Sequence, residues 1–191
     1  HAGRGDDFSG VTVAIQGVGH VGQNLCKLLT EAGANIFVAD IKKKNLDFVV
    51  DTYGCTPMHD ADILTAECDI LAPCALGSVL DGRVIQNLRC SIVCGAANNI
   101  LGDPEEDAVA LKTAGIIYGP DFVVNAGGLI HLAGMHLGMS GDLLQSKNDE
   151  IFETTTQILK RGEEVSSTYA AAVDIAKQRI SGTQEMGIHA G

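Results

Sequence analysis

Gly17-Val18-Gly19-His20-Val21-Gly22 is the stretch of the sequence that decides the fold. It matches the pattern G-x-G-x-x-G and stands between an apolar run at residues 11–15 and leucines at helical spacing. In such a strand–turn–helix unit, the first glycine permits the sharp turn, the second lets the backbone approach a pyrophosphate, and the third lets the helix pack closely. An ordinary glycine-rich turn is the alternative interpretation. The context favours a dinucleotide site formed by the three glycines with His20 and Val21.

Asp40 stands at the end of a second apolar run, residues 36–39. In dinucleotide-binding folds a carboxylate at this place accepts hydrogen bonds from the adenosine ribose, and its charge repels a 2′-phosphate. The basic run Lys42-Lys43-Lys44 argues the other way, because a cation can bind that phosphate, although it is equally a solvated helix start. We expect NAD rather than NADP as the cofactor, with Asp40 and the adjacent Ile41 among the residues that bind it.

Apolar runs and helical patterns alternate along the chain beyond Asp40. Strands are predicted at residues 70–72, 91–93 and 116–118, and helices at residues 44–50, 82–88 and 103–114. The strands are continuous apolar runs rather than alternating patterns, which is typical of a parallel sheet covered on both faces. The predicted fold class is therefore α/β: a doubly wound, mostly parallel sheet of the Rossmann dinucleotide-binding type with C-terminal helices.

The chain is predicted to divide into a dinucleotide-binding core, helices that pack on it, and a tail, at residues 1–141, 142–181 and 182–191. The stretch from Gly127 to Gly141 is rich in glycine and is expected to lie outside the helices. Two helices are expected after it, at residues 149–159 and 168–180, with a break near Gly162.

The composition excludes several classes of partner. Asp and Glu number 24 against 13 Lys and Arg, a net charge of −11, so the surface would repel a nucleic acid. No apolar stretch is long enough to span a membrane and no signal peptide opens the chain, so we expect a cytoplasmic protein. The six cysteines form no C-x-x-C pair and the histidines do not cluster, so we expect reduced thiols and no metal site.

Three further segments carry a specific likeness to a known family. They are APCALG at residues 72–77, GAANN at residues 95–99 and YGPDFVVNAGG at residues 118–128. Together with the fingerprint, and in this order, they make the chain resemble the glutamate/leucine/phenylalanine/valine family of amino acid dehydrogenases, most closely its leucine and phenylalanine branch. The resemblance extends from about residue 8 to residue 180.

The resemblance implies oxidative deamination of an L-amino acid to a 2-oxo acid and ammonia, with hydride transfer to NAD. In this family the catalytic lysines and aspartate belong to a substrate domain that precedes the nucleotide domain, and no lysine here stands in a comparable glycine-rich motif. We therefore predict no catalytic residue in this chain. The resemblance implies that the chain binds NAD, that it is inactive without an N-terminal catalytic domain, and that the full-length protein is a homo-oligomer.

The resemblance also implies which residues line the cofactor groove. At the carboxyl end of a strand, the groove is expected to be lined by Cys74, Ala75 and Leu76. The nicotinamide and its ribose are expected to lie close to Ala96, Ala97 and Asn98. Asn125 is expected beside the nicotinamide and the substrate carboxylate. Turn capping is the alternative role of both asparagines.

The substrate side chain is expected to contact Leu129 and Leu132, which are equally suited to the core face of a helix. Leu129 is larger than an aromatic substrate favours, whereas His131 followed by Leu132 is closer to the phenylalanine branch. A branched-chain or aromatic amino acid is therefore expected, and the choice between them stays open.

Two other functions compete with this interpretation. A free-standing NAD-binding regulatory module would need no substrate domain. A dehydrogenase acting on 2-hydroxy acids would need a catalytic histidine with a carboxylate partner and an arginine for the substrate. His131 and Arg83 are remote candidates for those roles, and no pattern in the sequence pairs them.

Overall fold

The computed structural model describes residues 7–75 and 77–187. Leu76, which the sequence places in the cofactor groove, lies outside the described residues. The strands are β1 (Thr12–Gln16), β2 (Asn35–Ala39), β3 (Thr56–Pro57), β4 (Ile70–Pro73), β5 (Ile92–Val93) and β6 (Ile117–Tyr118). The helices are α1 (His20–Glu31), α2 (Lys43–Tyr53), α3 (Gly82–Ile85), α4 (Pro104–Thr113), α5 (Asp121–Val124), α6 (Gly127–His136), α7 (Gly141–Glu164) and α8 (Thr168–Gly187).

The six strands form one parallel sheet in the order β3-β2-β1-β4-β5-β6. Strand β1 is central, and its Ile15 pairs with Val38 of β2 on one side and Ala72 of β4 on the other. The chain builds outward from β1 to β3 and then returns to β4, so the strand order reverses between β1 and β4. This topology confirms the predicted doubly wound α/β fold, in which ligands bind at the carboxyl ends of the strands beside that reversal.

Side chains alternate along β1 between two hydrophobic cores. Val13 and Ile15 belong to the core that includes Val49 of α2, whereas Ala14 belongs to the core that includes Leu111 of α4. All five side chains are at most 1% exposed. Because helices cover both faces of the sheet, neither face of β1 tolerates polar side chains, which explains the continuous apolar run in its sequence.

Helix α4 shows how the local sequence sets the boundaries of an element. The Asp103 carboxylate accepts the N–H groups of Glu105 and Glu106 at 3.0 Å, and Pro104 occupies the first helical turn. Proline has no N–H to leave unpaired there, and acidic residues suit the positive end of the helix. The predicted start of this helix is therefore confirmed.

The C-terminal part differs from the prediction in three ways. The stretch from Gly127 to His136 is helix α6 rather than a turn-rich segment. A side chain at Gly134 would collide with Leu144 of α7, so this glycine permits close packing of the two helices rather than a turn. Helix α7 begins at Gly141 rather than at residue 149, and the predicted break near Gly162 lies at residues 165–167. Helix α8 continues to Gly187, whereas the sequence predicts a tail from residue 182.

Lys112 links α4 to the C-terminal end of α7 through hydrogen bonds. Its Nζ donates to the carbonyl oxygens of Gly162 at 2.7 Å and Glu163 at 3.3 Å, near the C-terminus of α7. A cation at this end of a helix satisfies carbonyls that have no partner within the helix. Within the described residues, no helix is long and apolar enough to cross a membrane.

Candidate functional site

The fingerprint forms a tight turn between β1 and α1. Gly17 has a φ of 90°, and a Cβ there would lie 2.7 Å from the Cβ of Ala75. A Cβ at Gly22 would lie 2.2 Å from the carbonyl oxygen of Gly17. Both positions therefore require glycine, the first for its backbone conformation and both for close approach. The closeness to Gly17 also places Ala75 next to the loop, and its contact with a cofactor stays a prediction.

The N-terminus of α1 is open to a ligand. No side chain caps this helix, and the first N–H to find a carbonyl within it is that of Gln23, bonded to Gly19 at 2.9 Å. The N–H groups of His20, Val21 and Gly22 consequently have no partner within the helix. A Cβ at Gly19 would meet nothing within 4 Å, so the space in front of the turn is free. The loop is thus shaped to hold an anionic group.

Asp40 is bonded to the fingerprint loop itself. Its carboxylate accepts the N–H of Val18 at 2.9 Å, the N–H of Lys42 at 2.7 Å and the side-chain Nδ2 of Asn45 at 3.3 Å. Two carboxylate oxygens offer about four acceptor positions, so capacity for a ligand hydroxyl remains. The sequence analysis missed Asn45. Its place in the first turn of α2, facing the end of β2, is a signal that could have identified it.

Ile41 follows Asp40 at the carboxyl edge of the sheet and is 84% exposed. A large apolar side chain that is this accessible, directly beside Asp40, offers a surface on which a planar ring can lie. Ile41 lies between the end of β2 and the start of α2, and its contact with a cofactor stays a prediction.

Asn98 and Asn125 meet at the other end of the groove. The Nδ2 of Asn125 donates to the Oδ1 of Asn98 at 2.6 Å and to the carbonyl oxygen of Ala97 at 3.4 Å. Throughout residues 7–75 and 77–187, the remaining Nδ2 of Asn98 and Oδ1 of Asn125 have no hydrogen-bond partner. The pair therefore presents one donor group and one acceptor, which suits a carboxamide.

Cys74, Ala96 and Ala97 surround the ends of β4 and β5. The N–H of Cys74 donates to the carbonyl oxygen of Gln16 at 2.7 Å, and the N–H of Ala97 donates to that of Pro73 at 3.0 Å. Burial raises the pKa of the Cys74 thiol, so it stays protonated and neutral. Cys74 and Ala96 are half-buried, whereas the Ala97 side chain is buried, so Ala97 can reach a ligand only through its backbone.

Gln16 is a further polar side chain at this edge that the sequence analysis missed. Its Oε1 is buried and has no hydrogen-bond partner within the described residues. It ends β1, directly before the fingerprint, and an amide at the end of an otherwise apolar strand is the signal that marks it. A buried acceptor without a donor is costly, which is typical of a position that a ligand or water satisfies.

Leu129 and Leu132 do not belong to a helix core face. They are 72% and 62% exposed on α6, where Met135 is also exposed, as is Leu137 directly after the helix. A helix that is apolar on all sides is usually covered, so this face lacks a partner within the described part of the chain. His131 is also exposed on α6. Within residues 7–75 and 77–187, no group of His, Cys, Asp or Glu side chains could hold a metal ion.

Comparison with known proteins identifies relatives of this chain. Residues 37–186 match the profile of the glutamate/leucine/phenylalanine/valine dehydrogenase family. The chain is 40% identical over 176 residues to a leucine dehydrogenase of Thermoactinomyces intermedius, covering 92% of this chain and 48% of that protein. It is 40% identical over 178 residues to a valine dehydrogenase of Streptomyces virginiae, covering 90% and 49%.

A solved structure agrees with both the fold and the sequence. The crystal structure of L-tryptophan dehydrogenase from Nostoc punctiforme superposes with a TM-score of 0.87 at 36% identity, covering 91% of this chain and 53% of that one. The chain thus spans about half the length of the curated relatives that it matches.

Proposed function

The chain belongs to the glutamate/leucine/phenylalanine/valine dehydrogenase family, and we propose that it is the NAD-binding half of an L-amino acid dehydrogenase. The complete enzyme would convert an L-amino acid to a 2-oxo acid and ammonia. NAD, when bound, accepts the hydride from the α-carbon of the amino acid. We further propose that the complete enzyme is a homo-oligomer and that it works in the cytoplasm, where six free thiols remain reduced.

One observation carries the proposal. The fingerprint loop, Asp40 and the Asn98–Asn125 pair all lie at the carboxyl edge of one parallel sheet, on both sides of the β1–β4 reversal. These elements are far apart in the sequence, and only the doubly wound topology brings them together. A dinucleotide is a ligand long enough to use both sides of that reversal.

Each group in the groove has a task that follows from its geometry. The N–H groups of His20, Val21 and Gly22 would bind the pyrophosphate, since they have no partner within α1. Asp40 would accept a ribose hydroxyl while it holds the loop through Val18. Asn98 and Asn125 would bind the carboxamide and orient the nicotinamide ring. These residues bind and orient the cofactor, and none of them is proposed to move a proton.

NAD is preferred to NADP because of where Asp40 lies. Its carboxylate is negative, and its oxygens are already fixed by the N–H groups of Val18 and Lys42. It therefore cannot turn away from a 2′-phosphate without breaking bonds that hold the loop. The nearby Lys43 does not offset this charge, because its Nζ is bonded to Asp47 at 2.7 Å.

The substrate half would cover the apolar face of α6. Leu129 and Leu132 are exposed there, within two turns of Asn125, so an amino acid held between the halves would meet both the nicotinamide and this face. Apolar contacts of this kind suit a branched-chain or aromatic side chain. The relatives named for leucine, valine and tryptophan act on side chains of that class and support this proposal.

A chimeric enzyme tests the proposed function. The substrate-binding half of the Thermoactinomyces intermedius leucine dehydrogenase is fused ahead of this chain, and NADH formation is followed with leucine, valine, phenylalanine, tryptophan and glutamate. We expect no oxidation by the chain alone and amino acid oxidation by the fusion. The same fusion with Gly22→Ala is the control and should be inactive. Robust oxidation by the chain alone would reveal a catalytic base within it, and failure to bind NADH would contradict the proposal.

A further inference from the structure

Asp121 is a buried carboxylate to which no direct contact with the cofactor has been assigned. It is 8% exposed and is one of three buried polar or charged residues in the described part of the chain. Its Oδ2 accepts the N–H of Ile100 at 2.7 Å, and its Oδ1 accepts the N–H of Phe122 at 2.7 Å. A carboxylate that accepts two backbone N–H groups this closely is firmly held.

The bond to Ile100 secures the loop that carries Asn98. Ile100 is fully buried, and its N–H finds Asp121 rather than a strand partner. On the other side of Asn98, the N–H of Ala97 is bonded to Pro73 at 3.0 Å. Asn98 is therefore exposed between two fixed points. Asn99 adopts a φ of 53°, in the left-handed region that asparagine tolerates better than most residues other than glycine.

The same residue also secures Asn125. The backbone carbonyl oxygen of Asp121 accepts the N–H of Asn125 at 2.9 Å, and this bond ends the short helix α5. Asp121 thus contacts the loop of Asn98 through its side chain and the turn of Asn125 through its backbone. The two asparagines are then bonded to each other at 2.6 Å.

We propose that Asp121 is a positioning residue that sets the nicotinamide end of the groove by joining the two loops that carry Asn98 and Asn125. The inference rests on the proposed function, because it assigns the joined loops to the nicotinamide. An asparagine in place of Asp121 could accept only one of the two N–H groups and would turn its own NH₂ towards the other. The loop at Ile100 would then separate from the turn at Asn125.

Two ligands separate positioning from a general loss of structure. NADH carries the nicotinamide ring, whereas ADP-ribose keeps the adenosine, the pyrophosphate and the second ribose but lacks the ring and its carboxamide. Isothermal titration of both ligands should show that Asp121→Asn weakens NADH about tenfold and leaves ADP-ribose within about twofold of the unaltered protein. Asp121→Ser, which leaves room for a water molecule beside Ile100, gives the same test if the asparagine variant is too unstable, and both are titrated below their melting temperatures.

Asp107→Asn is the matched control. Asp107 is 6% exposed and so resembles Asp121 in burial, but its carboxylate accepts one backbone N–H, that of Asp103 at 2.7 Å, and joins no loop that carries Asn98 or Asn125. Its substitution should lower the melting temperature and leave the ratio of the two affinities unchanged. Equal losses for both ligands in the Asp121 variants, or no loss for NADH, would overturn the inference. If the unaltered chain binds neither ligand, the proposed function fails instead.

Discussion

At the proposed adenosine end of the groove, the ligand would meet a six-residue turn and one carboxylate, Asp40, which directly follows β2. At the nicotinamide end, two asparagines come from loops that begin after β5 and β6 and meet through side-chain hydrogen bonds. The first end depends on the backbone conformation and close approach that only glycine allows at Gly17 and Gly22. The second depends on long-range contacts such as the one between Asp121 and Ile100. A change at the first should affect every nucleotide, and a change at the second should affect only those with a nicotinamide.

Gly22→Ala should have the largest effect on binding. The new Cβ would lie 2.2 Å from the carbonyl oxygen of Gly17, so the loop and the start of α1 must separate. We expect NADH and ADP-ribose both to bind about a hundredfold more weakly by isothermal titration, together with a lower melting temperature. Gly19→Ala is the control for stability, because its Cβ meets no protein atom within 4 Å and should leave the melting temperature unchanged. Full binding by Gly22→Ala would show that the loop does not hold the ligand.

Asp40→Asn should have the next largest effect, and it should change selectivity. The variant loses a charged acceptor for the ribose and weakens the bond to Val18, so we expect NADH binding to fall about thirtyfold. Removal of the negative charge should also narrow the gap between NADH and NADPH. Asp51→Asn, which replaces an exposed carboxylate of the same helix α2 and leaves the Lys43–Asp47 pair intact, should change neither affinity. An unchanged NADH-to-NADPH ratio in Asp40→Asn would break the assignment of the adenosine end.

Asn125→Ala should distinguish the two ends of the groove. It removes the bond to Asn98 and an acceptor for the carboxamide, so NADH should bind about tenfold more weakly while ADP-ribose binding stays the same. Asn24→Ala is the control, since this exposed asparagine on α1 bonds only the carbonyl oxygen of His20. A parallel loss of ADP-ribose affinity would mean that Asn125 acts on the whole groove.

Substitution of Cys68 or Cys90, two cysteines at the amino edge of the sheet, should have the smallest effect on ligand binding but a measurable effect on how stability depends on pH. Burial raises the pKa of Cys90 to about 11 and that of Cys68 to about 12, from 9.0. The native state therefore holds protons that the unfolded state releases above pH 9.0, and the free energy of unfolding should fall by about 1–3 kcal/mol between pH 9.0 and about 11. Urea titrations at several pH values measure this fall.

Cys90→Ala should flatten that pH dependence without changing NADH affinity at neutral pH. Cys90 precedes β5, at the edge opposite to the groove, so its side chain contacts no proposed ligand position. The Asn125→Ala variant supplies the reciprocal control, because it should keep the full pH dependence. A steep loss of stability above pH 9.0 that persists undiminished in the double variant Cys68→Ala/Cys90→Ala would assign the effect to other groups.

The residues of the proposed adenosine end are predicted from local sequence patterns, whereas those of the proposed nicotinamide end are predicted only by resemblance. The fingerprint and Asp40 are local signals, because glycine spacing and a strand-end carboxylate are written in adjacent residues. Two other hydrogen bonds, between Asp121 and Ile100 and between Asn45 and Asp40, depend on how segments meet after folding. No pattern in the sequence predicts them. The helix at residues 127–136 was missed for a similar reason, since its glycines signal turns locally and become packing positions against α7.

Isothermal titration of the unaltered chain with NADH, NADPH and ADP-ribose tests whether the carboxyl edge of the sheet, from Asp40 to Asn125, is one continuous NAD site. We expect a single NADH site per chain, weaker binding of NADPH, and competition between NADH and ADP-ribose. Tighter binding of NADPH, or NADH binding that ADP-ribose does not displace, would contradict this expectation.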